Sequence, residues 1–204
     1  MASFGLSSPA SSTTAQQFPI GGDVDISMAY SAVSEGNLPL LQWTMNKLQT
    51  QTPAFTYTTP DENGYTLLHA AASYNQVAII EFLLAQTSGP DETIAFLTLG
   101  DADDGDTALH YADTMAAAKC LVDAACNTAA KVSARGDDPA AVAAAITLTV
   151  RPNKHGHTAV DVKQKELKEL QQDEEIEDDA VELEILQELI EYLTAHFHCK
   201  TLEF

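Results

Sequence analysis

One short block of sequence recurs three times with its residues in the same order, and this recurrence restricts the fold more than any other feature. The block occurs in DENGYTLLHAAA (61–72), in DGDTALHYA (104–112) and, with weaker similarity, in HGHTAVDV (155–162). In each copy a Gly is followed two residues later by Thr and two further on by Leu or Val. Internal repeats spaced by tens of residues indicate a solenoid, in which each unit buries its apolar face against its neighbours.

Thr and His recur at a fixed spacing within the block. Thr66 and Thr107 are each followed three residues later by His, at His69 and His110. A Thr hydroxyl at the start of a helix accepts hydrogen bonds from the free N–H groups of the first turn, so both Thr are predicted to cap a helix. We expect the two His to hydrogen-bond neighbouring turns, which is a structural role rather than a catalytic one.

Two helices are predicted in each unit. Small residues at 70–72 let two antiparallel helices approach closely, and an apolar run at 79–84 with helical spacing supplies the second helix. Asn75 tolerates the left-handed conformation and separates the two. Upstream, residues 32–45 match this second half, with Gly36 in the place of Asn75. Together with the three copies of the block, this match makes four registered units.

The spacing between units is irregular. Thr residues of successive copies are 41 and 51 residues apart, so insertions separate the repeats. In the third unit His110 precedes Leu121 by 11 residues, against 14 for the equivalent pair in the second unit, so its first helix, around 111–115, is predicted to be cramped. The insertion at 123–148 contains Asp138 and Pro139, a helix start, and then a predicted short helix at 140–146.

Short β segments are predicted ahead of each Gly turn. Residues 56–58, 97–99 and 148–150 lie at matching distances before that turn and contain Thr. Thr is β-branched and is therefore favoured in strands. These segments would lead into a hairpin that projects from each unit as a finger.

These motifs resemble the ankyrin repeat, whose signature T-P-L-H-x-A lies in a unit of about 33 residues with one β-turn and two helices. Leu67, Ala108 and Ala159 stand where the family has Pro, which removes a rigid helix start but not the fold. The resemblance implies an all-α repeat solenoid of about four ankyrin repeats, the first and last degenerate, with short β-hairpin fingers and insertions between repeats. The implied organisation is a disordered Ser/Thr/Pro-rich tail (1–22), a repeat domain (23–195) with an acidic loop (171–180) and a capping helix (181–195), and a C-terminal tail (196–204).

Acidic residues dominate the charge. The chain of 204 residues has 30 Asp and Glu against 10 Lys and Arg, a formal net charge of −20. This balance argues against direct nucleic-acid binding, which requires a basic surface, and no apolar stretch reaches the roughly 18 residues of a membrane span. Many of the acidic residues lie in DEEIEDD (173–179), which precedes an amphipathic helix that we expect to close the stack with a polar outer face.

No motif in the sequence indicates catalysis, a cofactor or a metal site. His155 and His157, and an HFHC segment at 196–199, lack the C-x-x-C or H-E-x-x-H spacing that fixes tetrahedral ligands. The sequence has no nucleophile elbow and no glycine-rich phosphate loop. Its three Cys form no disulfide framework, which favours a reducing compartment, the cytosol or the nucleus. A capped acidic solenoid is expected to be a monomer.

The resemblance also implies where a partner binds. In ankyrin proteins the finger tips and the exposed side of the first helices line a concave surface that binds other proteins. Acidic and aromatic residues there suit Arg- and Lys-rich ligands through charge pairing and cation–π contacts, although Asp and Asn are favoured in any exposed turn. The candidate partner-binding residues are Glu62, Asn63, Tyr65, Ser73, Tyr74, Asp103, Asp104, Asp106, His155 and His157, and Lys154 lies at the third tip beside them.

Two functions of different classes are consistent with these features. The chain is similar to small fungal ankyrin proteins with an acidic segment near the C-terminus, one of which is a dedicated chaperone for a basic ribosomal protein. This similarity implies a non-enzymatic escort or chaperone that binds a basic protein, such as a ribosomal protein. The alternative is a regulatory adaptor or inhibitor that docks a folded partner through apolar and tyrosine contacts. Salt should separate the two, because it screens exposed charge pairs but not an apolar contact.

Overall fold

The chain folds into stacked pairs of antiparallel helices. The structure, a computed structural model, describes residues 24–134, 150–172 and 180–199. Within these ranges eight helices are formed, and their packing confirms the predicted all-α repeat fold. They are α1 (Ile26–Ser34), α2 (Leu38–Gln51), α3 (Leu67–Ser73), α4 (Val77–Ala85), α5 (Pro90–Thr98), α6 (Met115–Ala134), α7 (Ala159–Leu170) and α8 (Ala180–Cys199).

The helices form two rows that share one apolar core. Helix α1 pairs with α2, α3 pairs with α4, and α1 also packs against α3 in the inner row. In the outer row α4 packs against α6 and α6 against α8, while α7 pairs with α8. Helix α5 packs on α6. The core side chains come from every unit, and the large ones that are fully buried include Leu41, Leu68, Ile80, Leu83, Leu109 and Leu121.

Side-chain caps set the starts of several helices. The Thr66 hydroxyl accepts from the Leu68 N–H at 3.2 Å, which confirms the predicted cap of α3. Thr158 caps α7 in the same way, by accepting from the Asp161 N–H. Asp25 and Asn37 cap α1 and α2. The caps satisfy N–H groups that have no partner within the helix, so they fix where each helix begins.

The third unit lacks its first helix. Residues 108–111 form a single turn, and the next helix, α6, begins only at Met115. Thr107 therefore closes a turn, with the His110 N–H donating to its carbonyl at 2.9 Å, and the prediction that it caps a helix around 111–115 is wrong. The reason is length, because the three residues missing from this unit are nearly one helical turn and leave no room for two helices and a reversal.

The predicted β segments are also wrong where the structure describes them. Residues 56–58 lie in turns, and residues 97–98 end α5. An isolated bridge between Gly100 and Thr107 is the one β interaction in the described part of the chain. Helix α5 starts at Pro90 with two acidic residues in its first turn, a favourable helix start that outweighs the β preference of Thr98. Residues 148–149 lie outside the described ranges.

The outer segments of the chain agree with the sequence only in part. Helix α6 continues through the first part of the predicted insertion as far as Ala134, and the predicted helix at 140–146 lies outside the described residues. The acidic residues 173–179 lie outside them as well. Helix α8 spans the predicted capping helix, with Leu186, Leu189 and Leu193 buried and its acidic side chains exposed.

A buried lysine ties the fourth unit to the shortened third unit. Lys163 is 1% exposed, and it follows Thr158 by five residues, as the small Ala71 follows Thr66. Its ammonium donates to Asp113 at 2.7 Å and to Glu166 at 2.9 Å. Asp113 lies in the segment that leads into α6, so this ion pair anchors a segment that has no helix of its own.

Replacement of Lys163 by Met tests whether this ion pair is a net source of stability. Desolvation of a buried charge cancels much of its Coulomb attraction, so Lys163→Met should leave the free energy of unfolding unchanged or raise it by about 1 kcal/mol. Asp113→Ala, which removes one partner of the buried ammonium, should lower it by about 1–3 kcal/mol. Urea unfolding of both variants measures the change in the free energy of unfolding. A larger loss for Lys163→Met than for Asp113→Ala would contradict the account.

Candidate functional site

Three finger turns project from the stack, and they share one construction. At the start of each finger a side-chain oxygen accepts two backbone N–H groups at 2.8 to 3.0 Å. The three residues that supply this oxygen are Asp61, Asp101 and Asn153. Near the end of each finger a Gly has a φ of 72, 73 or 82°, in the left-handed region that only Gly adopts at low cost. The repeated Gly of the sequence is therefore explained by the shape of the turn.

Backbone hydrogen bonds join the fingers to each other. The Ala102 N–H of the second finger donates to the Asn63 carbonyl of the first at 2.6 Å. The Lys154 N–H of the third finger donates to the Asp104 carbonyl of the second at 2.7 Å. At Gly64 an added Cβ would lie 2.7 Å from the Ala102 nitrogen, so the close approach also requires Gly. The three tips form one continuous surface.

A histidine from the second unit and one from the third unit each hydrogen-bond to the next finger. The His69 Nδ1 accepts from the Thr66 N–H at 3.1 Å, and His110 accepts from Thr107 at the same distance. Because Nδ1 accepts, the ring proton is assigned to Nε2. The Nε2–H of His69 donates to the Asp106 carbonyl at 3.0 Å, and that of His110 donates to the carbonyl of the third finger at 3.2 Å. This confirms the predicted structural role of both His.

The bonds of His69 and His110 to successive fingers form what we call the histidine ladder. The first and last units complete this ladder differently. In the first unit the Tyr30 hydroxyl donates to the Tyr65 carbonyl at 2.8 Å, which is the role that His plays in the following units. In the fourth unit Asp161 stands in place of His and accepts from the Thr158 N–H at 2.8 Å, so it offers no donor beyond its own turn. Sequence reasoning missed Tyr30, because it follows the helix cap Asp25 by five residues rather than three.

Burial sets the ionisation of the ladder. It lowers the pKa of His69 and His110, and this effect exceeds the opposing influence of nearby acidic groups and accepting carbonyls. Burial would raise the pKa of Asp101, but hydrogen bonds from Tyr111 and from two backbone N–H groups outweigh it and lower that pKa. The ladder thus holds neutral His beside ionised Asp101 near pH 7.

The predicted site residues divide into exposed and structural groups. Tyr65 is half-buried, with its ring 5.2 Å from the ring of His69 and 5.3 Å from that of Tyr111. Asp106 has a side chain that is 17% exposed and that accepts from Asn153 at 2.9 Å. Ser73 is half-buried on α3. The predicted residues that are exposed are Glu62, Asn63, Tyr74, Asp103, Asp104, His155 and His157.

Two side chains of the third finger already bond to the second finger. The His155 Nε2 lies 2.9 Å from an Asp104 carboxylate oxygen, and both side chains are more than half exposed. The Lys154 ammonium donates to the Ala102 carbonyl and, at 3.0 Å, to the Asp103 carbonyl. These contacts order the tips but leave the carboxylates of Glu62 and Asp103 open to a partner.

Neither a metal-ligand cluster nor a membrane-spanning helix occurs among the described residues. No group of three or more His, Cys, Asp or Glu in the described ranges is placed to hold a metal ion. Among the same residues, no helix has the length and apolar character needed to cross a membrane. The candidate zinc residues at 196–199 lie at the end of α8, where side chains are not described. The finger surface, whose tips are joined by backbone hydrogen bonds, is the site that the geometry defines most clearly.

Comparison with protein family models identifies the repeats of this fold. A model of ankyrin repeats in three copies matches residues 28–131, which is about half of the chain. The match begins in α1 and ends in α6, so it includes the first unit that the sequence showed only in its second half. A comparison with curated proteins finds no match.

The histidine ladder predicts a loss of stability in mild acid. A His whose pKa is lowered in the folded state is neutral there and must be protonated on unfolding once the pH is below its unfolded value of about 6.5. The contribution of each neutral His to the free energy of unfolding is therefore complete above pH 6.5, and it is lost as the pH falls towards the lowered pKa of the folded state. We expect up to about 1.4 kcal/mol per pH unit for each His between pH 6.5 and 5.

Urea unfolding at pH 7.5, 6.0 and 5.0 measures this slope. The control is the doubly substituted protein His69→Asn, His110→Asn, which should be less stable at pH 7.5 and should lose less stability on acidification. Equal slopes for the two proteins would contradict the assignment of neutral His in the fold.

Proposed function

The chain belongs to the ankyrin repeat family, and from that premise we propose that it is an acidic escort, or chaperone, that shields a basic protein with its finger surface. The family consists of non-catalytic modules that bind proteins through extended concave surfaces, so the chain is a protein-interaction module. The observation that supports the finer proposal is the set of exposed carboxylates at the tips of two hydrogen-bonded fingers, Glu62, Asp103 and Asp104.

The rigidity of the fingers favours binding by charge. The finger-to-finger bonds at 2.6 and 2.7 Å and the histidine ladder hold the tips in place before a partner arrives. A preorganised surface loses little conformational entropy on binding. A formal net charge of −20 also attracts a cationic partner over distances of about a Debye length, near 8 Å at physiological salt.

A basic protein such as a ribosomal protein fits this surface. Its Lys and Arg side chains would otherwise bind nucleic acid or other polyanions, and a folded acidic surface can cover them until the protein reaches its destination. The proposed escort is a monomer and works in the cytosol or the nucleus. Binding through exposed charges also allows release by competition, since the final binding site of the client offers more phosphates.

A second candidate is a regulatory adaptor or inhibitor that docks a folded partner through apolar and tyrosine contacts. The observation that favours it is the exposure of Tyr74 and Met115, at 55% and 42%. Tyr65, which the sequence grouped with Tyr74, is half-buried and offers less surface. The adaptor would keep its partner at high salt, whereas the escort would lose it.

Neutralisation of the finger tips tests the escort. The variant Glu62→Gln, Asp103→Asn, Asp104→Asn should weaken binding of a basic ribosomal protein by about three- to hundred-fold at low salt, since each exposed charge pair contributes roughly 0.2–1 kcal/mol. Its affinity should also depend less steeply on salt. Asp106 is left unchanged because its side chain and carbonyl stabilise the fingers. Isothermal titration at several salt concentrations measures both effects.

The matched control removes three charges from another face. Glu182, Glu184 and Glu188 are exposed on α8, and their replacement by Gln changes the net charge by the same amount. This control should keep most of the affinity. Equal weakening by the two triple variants would show that overall charge, not the finger surface, attracts the partner, and an unchanged affinity for the finger variant would refute the escort.

A further inference from the structure

The shortened third unit exposes a patch that the finger surface does not include. Where a first helix would continue, the chain runs as a linker through Asp113 and Thr114 into α6. The Thr114 hydroxyl donates to the Asn75 side-chain oxygen, which holds the linker against the end of α3. Tyr74 is the residue that follows α3 and Met115 begins α6, so this bond places the two exposed apolar side chains on neighbouring segments.

One exposed carboxylate, that of Asp113, lies on the linker beside this patch. The Asp113 side chain is 56% exposed, and only its Oδ1 accepts from Lys163. Burial first, and then the charges of Tyr74 and Asp113, raise the pKa of Tyr65 to about 12. Asp61 and Asp101 contribute to the same shift. The Lys163 ammonium pairs with both Asp113 and Glu166, and Lys119 is exposed on α6 one turn beyond Met115.

We propose that Tyr74, Met115 and Asp113, the Tyr74 subsite, bind an arginine side chain of the partner, the guanidinium stacking on the Tyr74 ring and donating to the Asp113 carboxylate. The inference rests on the proposed function, because it assigns one side chain of the basic partner to one place. Charge complementarity selects a cationic occupant, and the exposed ring and thioether select one with a flat, weakly hydrated charge.

Arginine fits this chemistry better than lysine. Its guanidinium is planar and can lie on an aromatic ring while its N–H groups reach a carboxylate at the ring edge. A lysine ammonium is a strongly hydrated point charge that gains less from a half-exposed ring. The finger tips, in contrast, present carboxylates without an exposed tyrosine ring and accept either residue. The two regions together would therefore give a preference for a segment that contains both Arg and Lys.

Substitutions of Tyr74 separate ring stacking from apolar area. With a decaarginine peptide as the probe, Tyr74→Phe should keep the affinity, Tyr74→Leu and Tyr74→Ala should lower it by about three- to ten-fold, and a decalysine peptide should respond less than two-fold to all three. The matched control is Ile185→Ala, which shortens a side chain of similar exposure, 41%, on α8. Circular dichroism and thermal unfolding check that each variant folds, and Tyr74→Phe is the variant least open to disruption.

The outcomes distinguish this inference from the proposed function. If decaarginine binds and the three Tyr74 variants all match the native protein, the subsite is refuted and the acidic fingers remain. If Tyr74→Leu keeps the full affinity, apolar contact rather than stacking on the ring accounts for the binding, and the arginine assignment is wrong. If neither peptide binds the native protein at low salt, both proposals fail together. Loss for Tyr74→Ala and equal binding by the triple finger variant would refute the finger surface alone.

Discussion

The hydrogen bond from the His69 ring to the Asp106 carbonyl is the contact on which the arrangement of the units depends. It is made by a neutral ring whose other nitrogen is fixed by the Thr66 N–H, so donor direction and helix start are set by one side chain. The bond of His110 repeats it, and Tyr30 supplies the equivalent bond at the first unit. Because each bond satisfies a carbonyl in the neighbouring finger, register passes from one unit to the next, and the described residues form no β-sheet between the units.

The sequence predicts this ladder well where its residues recur in register. The order Gly, Thr, His predicts the turn and the structural role of His in both copies, because each has a local physical cause, but it predicts the helix cap correctly only at Thr66. The paired helices of the second unit also followed from apolar spacing. The ends of the ladder could not be predicted in this way, since Tyr30 makes the same bond from another position and Asp161 replaces a donor with an acceptor.

Other differences between the sequence-based predictions and the structure have their cause in competition between local and tertiary preferences. Thr98 favours a strand by shape, yet its hydroxyl bonds the Ile94 carbonyl at 2.7 Å inside a helix that Pro90 initiates. The length of the third unit predicts a cramped first helix. It does not predict that a turn and the buried Lys163 replace that helix. Of the candidate site residues, the exposed tips were predicted because Asp, Asn and Glu sit in turns. Tyr65 and Asp106 were grouped with them because burial depends on neighbouring units, which a single block of sequence does not reveal.

Acidic finger tips held by a rigid ladder, with Tyr74 beside the shortened unit, describe a surface suited to a basic partner. The most direct test is affinity capture from native cell lysate on the intact protein at low and high salt, read by mass spectrometry. The account predicts one or a few strongly basic proteins that bind at low salt and are lost at high salt, because the contacts are exposed charge pairs. A neutral, folded partner that is retained at high salt would contradict it.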